Sequence, residues 1–110
     1  MTGHRTSLER LRGEAEAEIA ALDADLRALF EASRTDNADD EHDPEGATIG
    51  YERAQLMAVL AAARAQLTAV EEALARLDAG AYGRCEACGR EIAPERLEIR
   101  PFAATCVGCA

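Results

Sequence analysis

Cys85-Glu86-Ala87-Cys88 and Cys106-Val107-Gly108-Cys109 are two Cys-x-x-Cys knuckles separated by 17 residues. Two intervening residues let both sulfurs of a knuckle reach one ion at about 2.3 Å, and two knuckles complete a tetrahedron. This spacing is the pattern of a structural four-thiolate zinc site, so Cys85, Cys88, Cys106 and Cys109 are expected to hold one Zn²⁺. Gly89, directly after Cys88, supplies the positive φ that such a tight turn asks for. Three other uses of the cysteines compete. Disulfides need an oxidising compartment, and the first 20 residues are charged and lack the apolar stretch of an export signal. A redox Cys-x-x-Cys accompanies a βαβ pattern, which the sequence lacks. A catalytic zinc keeps an open coordination position, and four cysteines fill it.

Between the knuckles, Ile92, Leu97, Ile99 and Phe102 are the side chains available for a mini-core around the metal, and Pro94 is placed to start a short helical turn. Arg84, Arg90, Arg96 and Arg100 are matched in number by Glu86, Glu91, Glu95 and Glu98. They make either a solvated, internally paired surface or a docking face, and the sequence does not choose. His4 and His42 are distant from the knuckles and are expected to be exposed rather than ligands.

Upstream, the period changes to that of a coiled coil. Over residues 7–34, Leu8, Leu11, Ala15, Ile19, Leu22, Leu26 and Leu29 recur at spacings of 3 and 4 with one stutter. Thr6 and Glu9 form a candidate capping box, and Gly13 interrupts the helical pattern. Over residues 49–79, Ile49, Leu56, Ala63, Val70 and Leu77 make one heptad row and Arg53, Leu60, Leu67 and Leu74 the other, ended by Gly80 as a C-cap. Each helix would be roughly 45 Å long. One apolar stripe per helix needs one partner. The simplest is the other helix, folded back as an antiparallel hairpin; the alternative is pairing between two chains. The expected organisation is a mainly α chain: a coiled-coil hairpin over residues 1–80, then a four-Cys zinc finger over residues 81–110.

The formal net charge of −9 is unevenly placed. Residues 1–34 carry −2, residues 35–48 carry −6, residues 49–79 carry −1, and residues 80–110 are neutral. Asp43-Pro44 reads as an N-cap followed by proline at the first helical position, and acids there suit the positive end of the second helix. They sit badly against the negative end of the first, so helix stability does not account for all six. The segment is either a solvated acidic loop or an acidic probe carried at the end of a stalk. An EF-hand reading of Glu41, Asp43, Glu45, Gly46 and Glu52 fails at the first position, where Asp belongs, and at the eighth, where Thr48 replaces a branched aliphatic.

The chain contains 110 residues, 25 of them Ala and four aromatic, a composition that favours helix over sheet. The acidic balance disfavours free nucleic acid as a partner, since non-specific affinity comes from neutralising phosphates. No apolar run approaches the 18 or so residues of a membrane span. A cytoplasmic, monomeric protein is expected. No nucleophile stands beside a base and no glycine loop cradles a phosphate, so an enzyme is not expected.

The run from Ala73 to Cys109 resembles the zinc-finger region of the DksA/TraR family. A helix ends in Gly80, followed by Tyr82-Gly83-Arg84-Cys85, Cys88-Gly89, Ile92, Arg96-Leu97, Pro101 and the second knuckle. The resemblance implies direct binding to bacterial RNA polymerase, with the coiled coil entering the secondary channel and acidic tip residues lying near the catalytic Mg²⁺. It also implies docking of the finger on the channel rim, for which Arg84, Arg90, Arg96 and Arg100 are the candidates. The family tip motif is Asp-x-x-Asp-x-Ala. Asp40 and Asp43 match its two Asp positions, Glu45 replaces its Ala, and Asp39 and Glu41 add charge. Asp36 and Asp39 give a weaker second register. Longer members carry a leading segment and a helix beyond the last Cys, whereas this chain stops at Ala110; synergy with guanosine tetraphosphate is therefore not among what the resemblance implies. A zinc-ribbon module with another protein partner is the alternative reading.

Overall fold

A computed structural model describes the backbone of residues 2–36 and 44–110 and the side chains of residues 3–32 and 48–110. Two long helices lead: α1, Thr2–Asp36, and α2, Pro44–Asp78. They are followed by α3, Pro94–Ile99, and a 3₁₀ turn, Val107–Cys109.

Both long helices exceed their expected bounds. α1 starts at Thr2 instead of residue 7, so Thr6 is interior to the helix and does not cap it. The reason is tertiary: His4 and Arg5 find partners elsewhere in the chain, which holds the first turn helical. α2 starts at Pro44, consistent with proline at the first helical position. It ends in a Schellman turn. Gly80 N–H donates to the Leu77 carbonyl at 3.2 Å and Ala81 N–H to that of Arg76 at 2.8 Å, with Gly80 at φ +75°.

The chain divides into two compact units, residues 1–15 with 65–110, and residues 16–64. In the first, Leu8, Val70, Ala73 and Leu74 form a buried cluster, with Leu11, Leu77, Tyr82 and Phe102 packed against it. Arg5 reaches Asp78 at 2.6 Å in an exposed ion pair, which solvent screening keeps weak. In the second unit, Leu60 and Ala63 are buried. Asp23 meets Arg64 at 3.4 Å, and the Arg53 guanidinium lies 5.4 Å from the centroid of the Phe30 ring. A step forward along α1 is matched by a step back along α2, so the two helices of one chain pair antiparallel, as the hairpin reading requires. The stripe residues Ile19, Leu22, Leu26 and Leu29 are half-buried, as a pair of helices covering one face of each other dictates. Arg53 is exposed and packs on Phe30, which accommodates the one charge in the apolar rows.

Gly13 lies inside α1 with open space where a Cβ would stand. Gly13→Ala is therefore expected to stabilise the chain by about 0.5–1 kcal/mol, through helix propensity alone. A thermal melt that failed to rise would show that the backbone at residue 13 departs from helix in solution.

Candidate metal centre

The finger is built on a short turn and two small pairings. Arg84 and Glu91 form an antiparallel bridge, with Cys85 N–H donating to the Arg90 carbonyl at 2.8 Å and Ile92 N–H to that of Gly83 at 2.7 Å. Between them the chain reverses at Cys85–Gly89. Gly89 N–H donates to the Cys85 carbonyl at 2.9 Å, and Gly89 takes φ +77°. The second knuckle is tied to the first by Glu86 N–H donating to the Ala104 carbonyl at 2.9 Å, and it is closed by Cys109 N–H donating to the Cys106 carbonyl at 3.0 Å. α3 opens on Pro94 as expected and buries Leu97.

The four sulfurs converge. All lie within 4.8 Å of one another, and none is in a disulfide. A tetrahedral ion with bonds of about 2.3 Å needs sulfurs separated by about 3.8 Å. The Cys88 and Cys106 sulfurs stand 3.8 Å apart. Geometry and donor chemistry therefore fit one zinc ion held by Cys85, Cys88, Cys106 and Cys109, all four ligands named by the sequence. When bound, zinc supplies a crosslink between the knuckles; four thiolates leave no position for substrate.

The electrostatics of the sulfurs also favour a cation. Backbone N–H groups of Cys106, Cys88 and Ala87 point at Cys85 and hold its thiol down at about 6, against an ordinary value of 9.0. Cys109 is pushed up to about 12 because it shares its proton with the sulfurs of Cys106, Cys85 and Cys88. One thiolate is thus prepared by the backbone, while the neighbouring sulfurs oppose ionisation of Cys109 until a divalent charge arrives.

Around the centre, Cys85, Ile92, Leu97 and Ala103 form the finger's core. Phe102 packs against the other cluster, beside the helices, and Ile99 is 83% exposed. The expectation of a mini-core containing Ile99 and Phe102 is corrected on both residues. α3 is only six residues long and can bury one face, and Leu97 occupies it.

Three residues, Tyr82 of the family run, His4 that was expected to be exposed, and Arg76 that the sequence did not single out, connect the finger to the helices. Tyr82 packs against both buried clusters and donates its hydroxyl to the Pro101 carbonyl at 2.7 Å. Burial raises its phenol above the ordinary value of 10.0. His4 is half-buried rather than exposed, its ring centroid 5.1 Å from that of Tyr82. Arg76, with only 13% of its side chain exposed, meets Glu86 at 3.4 Å and the Ala103 carbonyl at 3.5 Å. Arg76 carried a usable clue, a cation in the last turn of a helix whose carbonyl end is negative.

Of the proposed rim arginines, Arg84, Arg90 and Arg100 are exposed and Arg96 is half-buried. Arg96 donates through Nε to the Thr105 carbonyl at 2.9 Å, and Arg100 lies over the Phe102 ring at 5.1 Å, so both brace the finger itself. The tip side chains Asp39, Asp40, Glu41, Asp43 and Glu45, together with Asp36 and His42, lie outside the described residues.

Comparison with known proteins agrees with the architecture. A family model described as the prokaryotic dksA/traR C4-type zinc finger matches residues 80–110. The uncharacterized protein YteA of Bacillus subtilis is 41% identical over 69 residues, 63% of this chain and 29% of that protein. The RNA polymerase-binding transcription factor DksA of Haemophilus influenzae is 45% identical over 40 residues, 36% of this chain and 28% of that protein. The matches thus span less than a third of the length of these two relatives. The structure of transcription factor DksA2 from Pseudomonas aeruginosa is similar with a TM-score of 0.81 and 30% identity, over 98% of this chain and 78% of that one. With its helical hairpin and four-cysteine centre, the chain belongs to the DksA/TraR family of zinc-finger transcription factors.

Proposed function

We propose that this protein regulates transcription by binding RNA polymerase directly, inserting the hairpin into the secondary channel so that residues 35–48 approach the catalytic Mg²⁺. The observation that carries the reading is the likeness to DksA2 over 98% of the chain, joined to a relative that is named RNA polymerase-binding. The charge map supports it independently. Six of the nine net negative charges fall in residues 35–48, and a channel that admits nucleotides and holds Mg²⁺ suits a negative probe. In this reading residues 1–80 form the delivery stalk and residues 81–110 the docking element. Asp40 and Asp43 do the work at the tip, and Glu45 in place of Ala changes the size or sign of the effect on initiation. The protein acts in the cytoplasm as a monomer, without catalysis of its own and without direct contact to DNA. No described helix is long and apolar enough to cross a membrane.

Core polymerase pull-down, with in vitro transcription by wild type and Asp40→Ala/Asp43→Ala, tests the reading. Wild type is expected to bind and to alter open-complex lifetime several-fold. The double variant is expected to bind and leave the lifetime unchanged. Transcription altered equally by both proteins would remove the tip from the mechanism, and absence of binding would remove the reading.

A further inference from the structure

Arg76, in the last turn of α2, is held through both its backbone and its side chain. Its carbonyl accepts from Ala81 N–H at 2.8 Å and closes the helix. Its side chain runs to the finger and is only 13% exposed. A guanidinium carries five N–H donors in a planar fork, and taking it out of water costs free energy unless they are met. Here Nη1 faces the Glu86 carboxylate at 3.4 Å and Nη2 faces the Ala103 carbonyl at 3.5 Å. The two partners belong to different limbs of the finger. Glu86 lies inside the first knuckle, between Cys85 and Cys88. Ala103 is buried in the finger's core, three residues before Cys106 of the second knuckle. The limbs are tied to each other at this same place, by Glu86 N–H donating to the Ala104 carbonyl at 2.9 Å.

The seat of the guanidinium is therefore complete only while the two knuckles stand together. Four-thiolate coordination draws them together, because each knuckle supplies two of the sulfurs. Neither contact is strong alone. The Glu86 side chain is 57% exposed, so solvent screens the ion pair. What counts is the difference between two states, one in which both prongs of a half-sheltered fork are met and one in which the limbs part and the fork returns to water. We propose that Arg76 is the positioning residue through which the assembled metal centre holds the end of α2, and through which α2 in return tightens zinc. Tyr82 does not duplicate this role. Its ring packs on apolar clusters, and its hydroxyl reaches Pro101, which lies between the knuckles rather than in one. Linkage makes the coupling reciprocal: the factor by which zinc steadies the end of α2 is the factor by which the docked end raises zinc affinity. The coupling is internal to the chain and needs no partner.

The test compares the full-length wild type, zinc-loaded and zinc-free, with Arg76→Met, which keeps an aliphatic stem and removes the fork. Zinc affinity, measured by competition with a chelator, is expected to fall about tenfold in the variant, inside the range of about 5–150-fold usual for such couplings. Amide hydrogen exchange separates positioning from folding. In wild type, removing zinc should speed exchange at Ala79, Gly80 and Ala81, whose N–H groups close α2. In zinc-loaded Arg76→Met these three should already exchange at the zinc-free rate. Cys85 and Ile92, which donate to the Arg90 and Gly83 carbonyls, should stay protected there. Arg76→Lys, a point charge without a fork, should recover only part of the affinity. Unchanged zinc affinity in Arg76→Met, or slow exchange at residues 79–81, would overturn the coupling. Loss of protection at Ile92 in the loaded variant would also overturn it, making Arg76 an ordinary folding contact. Full recovery by Lys would assign the effect to charge alone and overturn the two-limbed seat.

Discussion

Cys85→Ser is expected to abolish stoichiometric zinc binding and to unfold the finger while leaving the helical signal of residues 16–64 largely intact. The magnitude follows from the size of the finger's core. Cys85, Ile92, Leu97 and Ala103 are its buried members, and Cys85 is itself one of the four ligands. Such a cluster is too small to hold about 30 residues folded against their conformational entropy. Zinc binding is therefore coupled to folding of the finger, as in other small structural sites. Acid should act like the substitution. The folded-state value of Cys85, about 6, lies below its ordinary 9.0. Its thiolate therefore stabilises the fold above pH 9.0, and that contribution is lost as pH falls towards about 6. Protons compete with metal for the same sulfurs, so zinc release should accompany acidification. Metal analysis across a pH titration, with near-ultraviolet circular dichroism, checks both. A Cys85→Ser protein that kept one zinc per chain and a cooperative finger transition would contradict the assignment.

Tyr82→Ala is expected to destabilise the unit of residues 1–15 and 65–110 by about 2–3 kcal/mol, below the range for truncating a fully buried aromatic residue because Tyr82 is half-buried. Two effects add. The ring is packed against both buried clusters, so its loss opens each of them. The hydroxyl donates to the Pro101 carbonyl at 2.7 Å, and its loss removes that hydrogen bond. Tyr82→Phe isolates the second effect and should cost about 1 kcal/mol. Denaturant melts of the zinc-loaded protein, followed by tyrosine-independent far-ultraviolet signal, give both values. Equal costs for Ala and Phe would mean that the ring contributes nothing as a bridge between the clusters.

What the sequence made legible followed from strict spacing. The knuckles named all four ligands, because tetrahedral thiolate chemistry permits few arrangements of Cys-x-x-Cys. The apolar stripes named the residues between α1 and α2, since Leu8, Leu11, Ala15, Ile19, Leu22, Leu26 and Leu29 are all buried or half-buried. Gly80 and Gly89 were legible because positive φ is strongly selective for glycine. What escaped depended on contacts remote in sequence. No local pattern tells that His4 packs on Tyr82, so α1 was started too late. The mini-core was overfilled for a related reason. Ile99 is as apolar as Leu97, and only the packing of a six-residue helix decides which of them faces inward. The arginines show a third limit. Composition cannot tell that Arg96 and Arg100 contact the finger's own Thr105 carbonyl and Phe102 ring.

The pairings of the two units differ in the length of chain they close. Arg64 and Asp23 lie 41 residues apart, whereas Arg5 and Asp78 lie 73 apart and His4 and Tyr82 lie 78 apart. Closing a loop costs entropy that rises with its length, and contacts of high sequence separation form late in folding. The hairpin should therefore zip from the segment between α1 and α2 towards the chain's two ends. Residues 1–15 and the finger meet last, whereas the two knuckles, separated by 17 residues, close a shorter loop and capture zinc independently of that meeting. A nascent chain would spend its synthesis with the first half of this unit waiting for the second, and metal starvation would halt assembly at a zipped hairpin rather than at an unfolded chain.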